Sequence, residues 1–241
     1  MSAVELTPAS TEVLRSGDLE VLGRMPWSSN GTFLACVHAE DADVQVIYKP
    51  RRGERPLWDF PTGTLCAREV ASFELSEALG WSIVPGTVLR DGPLGVGSVQ
   101  RFVDHDPEDH YFTLLEEHED DFRRFAVFDV LANNADRKSG HCLRALGGTR
   151  IWGIDHGLTF HPGDKLRTVI WDFAGEQLTP DACSAVSSVR RALDGALGRR
   201  LTDLLSDYEV DALASRAEHL LRAGRLPEPD PGYHSVPWPL V

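Results

Sequence analysis

The sequence predicts an α+β fold of two lobes, a strand-rich front half over residues 1–103 and a mainly helical back half over residues 104–241, joined as one unit. Three observations predict it. Short apolar runs separated by turn residues fill roughly the first hundred positions, and one helical period interrupts them after residue 64. Beyond residue 180, apolar residues recur at helical spacing almost to the end.

The elements follow in order. Thr32 to His38 and Val44 to Tyr48 read as strands, with the polar stretch Ala39 to Asp43 as the turn between them. Alternation puts Val44, Val46 and Tyr48 on one face of the second strand, and Gln45, Ile47 and Lys49 on the other. A Pro/Gly-rich connector, Arg51 to Gly63, precedes a helix over Leu65 to Leu79 that Gly80 closes. Val84 to Leu89 and Gly97 to Val103 are expected as strands around the turn Asp91-Gly92-Pro93. Phe122 to Asn133 reads as a helix and Ile151 to Ile154 as a short strand. Pro180 to Gly224 is helical, with Leu193, Leu197, Leu201, Leu204 and Leu205 on its apolar side. The tail from Leu226, rich in proline and aromatic residues, is expected to lie as an extended strap.

Composition excludes several function classes. The 24 lysines and arginines against 37 acidic residues give a net charge of -13, which repels phosphate backbones and anionic lipid. Nucleic acid is therefore not an expected partner, nor is integral membrane association, because no apolar run reaches the ~18 residues a span requires. The N-terminus has no signal-peptide pattern, and the chain is expected in the cytoplasm. Cys36, Cys66, Cys142 and Cys183 stand far apart, without CxxC spacing, so they are expected as reduced thiols.

The sharpest motif is Asn133-Asn134-Ala135-Asp136-Arg137-Lys138-Ser139-Gly140-His141, followed by Ile154-Asp155-His156-Gly157. Between them, Cys142-Leu143-Arg144 and Arg150-Ile151-Trp152 flank Gly147-Gly148-Thr149 and predict a hairpin. That hairpin would bring Asp136 and Asp155 together, although they are nineteen residues apart. Two carboxylates so placed suit phosphoryl transfer: one orients an attacking hydroxyl, and the other holds a hard metal on the phosphate oxygens. Lys49, ending an apolar strand, is placed to neutralise phosphate oxygens, braced by Glu69 or Glu74 on the next helix. Glu69 is preferred, with Arg68 beside it facing out. Ser28-Ser29-Asn30-Gly31-Thr32 is a small polar turn whose backbone N–H groups are candidates to meet a polyphosphate.

Lys49 on a strand, Glu69 on a helix, Asp136-Arg137, a ligand position five residues after Asp136, and Asp155-x-Gly157 together resemble a known family. They are similar to the phosphatidylinositol 3-/4-kinase-related branch of the protein-kinase-like fold, including its actinobacterial members, and more distantly to HipA-type kinases. The resemblance spans about residues 20–178. It implies a kinase that uses ATP and Mg2+, with Mn2+ as a substitute, and transfers the γ-phosphate to a hydroxyl on a protein, small molecule or lipid. It further implies that Asp136 is the catalytic aspartate, that Lys49 contacts the α/β phosphates with Glu69 as its brace, and that Ser28, Ser29, Asn30, Gly31 and Thr32 cover the phosphates. Adenine would lie against the segment Val99 to Val103, near backbone groups of Gln100 and Phe102. Asp155 would bind metal, with His141 at the second ligand position.

Two departures qualify that reading. Lys138 stands where the family has histidine, and His141 stands where it has asparagine, a poorer match for magnesium. A nucleotide-binding pseudokinase acting as a scaffold is the alternative. A metal-dependent hydrolase built from mid-chain histidines such as His105, His110 and His118 is a third reading, but their spacing matches no ligand motif. Trp171-Asp172-Phe173 either shapes an acceptor pocket or fills the back-half core.

Overall fold

In the computed structural model, which describes residues 11–26, 30–40 and 43–240, the front of the chain builds one antiparallel sheet of five strands. A short helix α1 (Thr11–Ser16) precedes β1 (Asp18–Arg24), β2 (Phe33–His38) and β3 (Asp43–Pro50). Helix α2 (Leu65–Ala78) follows, then β4 (Thr87–Arg90) and β5 (Gly97–Arg101). The strand order is β1-β2-β3-β5-β4, so α2 is the connection between β3 and the far edge of the sheet. The alternation read in the second strand holds: Val46 and Tyr48 are buried with Ala35, Val37, Val88 and Val99, which leaves Lys49 on the opposite face.

The strand expected at Val84 to Leu89 lies later, at Thr87–Arg90. Val84 instead joins the large helical core, where it is 1% exposed, and its N–H is taken by the Ser76 hydroxyl at 3.1 Å. That bond draws residue 84 off the sheet.

Helix α3 (Tyr111–Leu114) is a single turn; α4 (Glu119–Ala132) then runs through the core. Glu119, Asp120 and Asp121 crowd the first turn of α4, where the helix dipole favours negative charge. Asn133 ends it in a left-handed conformation at φ 49°, holding the carbonyls of His161 and Gly163 through its side-chain amide, both at 2.8 Å. The expected hairpin forms from β6 (Cys142–Arg144) and β7 (Ile151–Gly153). Helices α5 (Pro180–Leu193), α6 (Ala196–Thr202) and α7 (Asp207–Ala223) complete the back half. Thr179 caps α5 by accepting the Ala182 N–H at 3.1 Å, with Pro180 at the first helical position.

One large core joins Ala71 and Leu75 of α2 to α4, α5, α6 and α7. Thus α2 packs against the sheet on one side and the helices on the other. The tail lies without regular secondary structure and is tied down by its backbone: the Ser235 carbonyl accepts from Thr168 N (3.1 Å) and Trp171 Nε1 (3.0 Å). The Leu240 carbonyl accepts from Ser139 N at 2.8 Å. All four cysteines are free thiols. Among the described residues, no helix is long and apolar enough to cross a membrane.

Candidate active site

Lys49 leaves the end of β3 on the face opposite the sheet core, and its ammonium meets two carboxylates. It donates to Glu69 Oε1 from α2 and, at 2.8 Å, to Asp155 Oδ1 from the segment after β7. Burial works against the charge on Lys49, but Asp155 and Glu69 together outweigh it and hold the ammonium above lysine's ordinary range. In return, the charge of Lys49 draws Asp155 well below the usual carboxylate range. Glu69 is 2% exposed, and its second oxygen accepts the His156 N–H at 3.0 Å. Glu74, the other candidate brace, turns away and accepts from Arg200 at 2.7 Å. The Asp155 side chain stays 54% exposed, open to a ligand, and its backbone holds φ 60°, a conformation that non-glycine residues adopt sparingly.

Asp136 sits on the loop after α4, and one buried guanidinium fixes that loop. Arg137, fully buried, donates from Nη2 to Asp129 Oδ1 at 2.9 Å and from Nε to Asp129 Oδ2 at 3.0 Å. Its Nη1 reaches the carbonyls of His141 (3.4 Å) and Ile154 (3.3 Å), and its Nη2 lies 2.7 Å from His156 Nε2. One side chain therefore ties the Asp136 loop to the strand that delivers Asp155. Asn134 completes the frame, donating to Asp129 at 2.9 Å and accepting the Asp136 N–H at 3.1 Å. Burial pushes the Asp136 carboxyl upward, the nearby Lys138 ammonium (3.3 Å) opposes this, and Asp155 adds to it. His156 is fully buried edge-on against Phe128 and is held neutral by burial and by the Arg137 charge.

Other expected contacts are placed differently. Ser28 and Ser29 lie outside the described residues. In the same turn the Gly31 N–H donates to Gly53 O (2.8 Å), the Thr32 N–H to Asn30 O (2.9 Å), and Asn30 Oδ1 accepts from Arg55 N (3.0 Å). The N–H groups of Gly31 and Thr32 expected to meet phosphate are therefore used inside the protein. Gln100 is interior to the sheet, paired with Ile47 on β3 and Thr87 on β4, and its side-chain amide donates to the Thr87 hydroxyl at 2.9 Å. The Phe102 N–H is taken by Gln45 O at 3.0 Å. Gln100 and the Phe102 N–H are thus engaged within the sheet.

His141 Nε2 stands 3.5 Å from Asp155 Oδ2, while its Nδ1 accepts the Lys138 N–H at 3.4 Å. That acceptor role assigns the ring proton to Nε2, the nitrogen aimed at Asp155. Burial lowers the His141 pKa to about 4, so the ring is neutral at ordinary pH.

Sequence reasoning missed Asp129 and the role of Arg68. Asp129 is fully buried, and its signal is an acid set among Phe125, Phe128, Leu131 and Ala132, where helical spacing demands an apolar residue. Arg68, expected to face out, is 1% exposed: Nη2 donates to Glu209 of α7 and Nη1 to the Thr159 carbonyl at 2.5 Å. Of Trp171, Asp172 and Phe173, Phe173 fills the back-half core at 3% exposure, the half-buried Trp171 donates from Nε1 to the Ser235 carbonyl, and the exposed Asp172 accepts the Tyr111 hydroxyl at 2.5 Å.

Comparison with known proteins follows the same lines. The Mycobacterium tuberculosis protein Rv2133c is 39% identical to this chain, over 98% of this chain and 97% of its own length. The chain belongs to the family of Rv2133c. No family model matches it. A crystal structure of the Golgi casein kinase with Mn/ADP bound superposes with a TM-score of 0.59 at 15% identity, over 88% of this chain and 74% of that one. Hydra Fam20 with sugar gives 0.58 at 14%, covering 88% and 86%. The Helicobacter pylori proinflammatory kinase CtkA gives 0.54 at 11%, covering 88% and 94%. At these identities the likeness carries the fold, which is protein-kinase-like. It lends no support to a place in the phosphatidylinositol 3-/4-kinase branch.

Proposed function

We propose that this protein is an ATP-dependent phosphotransferase that transfers the γ-phosphate to a hydroxyl acceptor. The observation that carries the reading is the Lys49 ammonium held between Glu69 and Asp155 in a fold of this class, with the Asp136 loop bound to the Asp155 segment through Arg137. A strand lysine paired with a helix glutamate is the phosphate-positioning device of this chemistry. In this reading the sheet with α2 forms one lobe, residues 1–103, and the rest forms the other, with the reaction between them. Leu34 and Ile47 are paired across β2 and β3 on the Lys49 face and stay half-buried, offering an apolar surface for adenine beside the cation for its phosphates.

Asp136 orients the acceptor hydroxyl and takes its proton; its carboxyl, pushed up by burial, is the better base for it. Asp155 suits a divalent ion: its carboxylate is ionised and half exposed. His141 suits it less, because the nitrogen that stands 3.5 Å from Asp155 carries the ring proton. When bound, such an ion neutralises charge on the phosphate oxygens. The solved casein kinase holds manganese with ADP, which supports Mn2+ alongside Mg2+.

The His141 geometry also favours a second reading, a pseudokinase that binds nucleotide and acts as a scaffold. One assay separates them. Purified protein is incubated with γ-labelled ATP and Mg2+ or Mn2+, with Asp136→Asn in parallel, and label transfer, released phosphate and nucleotide affinity are recorded. Transfer by the wild type and none by the variant supports the enzyme. Tight binding without turnover under either metal supports the scaffold, and no nucleotide binding removes both.

A further inference from the structure

The geometry points to a separate metal site, for a divalent transition ion of the zinc type, held by Cys36, His38 and Asp43 with Glu20 behind the imidazole. Alternation along β2 sends Ala35 and Val37 into the sheet core and Cys36 and His38 to the other face. Register then supplies carboxylates from both neighbours: Glu20 on β1 is paired with Cys36, and Asp43 on β3 with His38. His38 Nδ1 lies 2.8 Å from Asp43 Oδ1 and 3.9 Å from Cys36 Sγ, and His38 Nε2 lies 3.0 Å from Glu20 Oε2. Among the described residues, Cys36, His38 and Asp43 are the one trio of cysteine, histidine or carboxylate side chains whose donor atoms all fall within 4.8 Å of one another.

The arrangement has the form of a metal-bound histidine. One ring nitrogen faces the ligand cluster while the other donates its N–H to a carboxylate that fixes tautomer and orientation. On binding, His38 offers the Nδ1 lone pair, any proton there passing to solvent, the Cys36 thiol loses its proton to solvent, and Nε2–H donates to Glu20. Three protein ligands leave a fourth position for water. A thiolate and an imidazole select zinc-type ions over magnesium, calcium or manganese, unlike the carboxylate Asp155. Asp43 and Lys49 are six residues apart on β3, about 20 Å at the rise of a strand. The ion would tie β1, β2 and β3 together at the end remote from Lys49.

The test uses untagged full-length protein, stripped with chelator and titrated with Co2+ as a spectroscopic stand-in for Zn2+. The expected result is one equivalent bound, with thiolate-to-cobalt charge-transfer absorption that Zn2+ abolishes and Mg2+ does not. Cys36→Ser should lose that absorption, His38→Gln should weaken binding at least ~10-fold, and Glu20→Gln should weaken it about 10–100-fold while keeping the sulfur band. X-ray absorption on zinc-loaded wild type, which requires no variant to fold, should find one sulfur and one imidazole neighbour. Absence of a sulfur neighbour, or a charge-transfer band that survives Cys36→Ser, overturns the assignment.

Discussion

Lys49 holds two carboxylates at once, and substitution can separate what it does for the fold from the phosphate contact proposed for it. Lys49→Ala leaves Glu69, 2% exposed, as a buried charge without its cation, so the variant should lose stability as well as nucleotide affinity. Adding Glu69→Gln removes the stranded charge. The double variant should recover much of the melting temperature, while ATP affinity stays at the single-variant level. Thermal melts and nucleotide titration of all three proteins check this, and recovery of affinity with stability would show that Lys49 is purely structural. Asp136 carries the opposite balance. Its folded-state pKa is raised, chiefly by burial, so between the ordinary carboxylate value and the raised one the folded protein binds more protons than the unfolded chain. Stability therefore falls as pH rises through that window, and the ionised carboxylate costs stability above it. Asp136→Asn should melt at or above the wild-type temperature at pH 7, with the difference closing below pH ~3.9, the ordinary aspartate value, while transfer is abolished. A variant that melts lower at pH 7 would contradict this.

Helix α2 is the element on which the site turns, because it carries Glu69 toward Lys49 and Arg68 toward the back half. Arg68 and Glu209 pair across α2 and α7 at 1% and 8% side-chain exposure. Removing one member of a buried pair typically costs about 3–5 kcal/mol. Glu209→Gln should therefore lower stability strongly in denaturant melts, whereas Arg68→Met with Glu209→Met should lie closer to wild type. Because the same helix positions Glu69, Glu209→Gln should also weaken nucleotide binding from a distance. Equal losses in the single and double variants would sink the argument. At this scale much was legible in the sequence. The β3 alternation, the α2 boundaries and the β6–β7 hairpin all follow from periodicity and from Gly147-Gly148, which are local signals. The Lys49–Glu69 pair was legible because a strand end and a helix start admit few partners. What escaped was tertiary. Nothing local tells that Arg68 finds an acid 141 residues later, or that the Gly31 N–H is consumed by Gly53 rather than left for phosphate. The engagement of Gln100 within the sheet has the same origin, since pairing with β3 and β4 is set by strands distant in sequence.

Across the whole molecule, the end of the described chain returns to the loop that carries Asp136. The Leu240 carbonyl takes the Ser139 N–H, three residues after Asp136, at 2.8 Å. Ser235, 8% exposed, takes Thr168 N and Trp171 Nε1, and Arg167 stacks over the Tyr233 ring at 5.0 Å. Thr168 in turn donates to Asp129 at 3.2 Å, the same carboxylate that anchors Arg137. A continuous set of hydrogen bonds therefore runs from the tail, through Asp129, to the carbonyls beside Asp155. Sequence composition foretold the strap but not its target, because proline and aromatic residues signal extended packing without naming a partner. Truncation after Tyr233 strips two backbone acceptors from the Asp136 side of the site and leaves Lys49, Glu69 and Asp155 untouched. The truncated protein should bind nucleotide within a few-fold of wild type and melt several degrees lower. Its turnover should fall at least ~10-fold, because a loosened aspartate spends less time aligned with the acceptor. Binding, melting and label transfer measured together decide it: turnover that stays at wild-type level while the melting temperature drops would mean that the strap stabilises the fold without aligning Asp136.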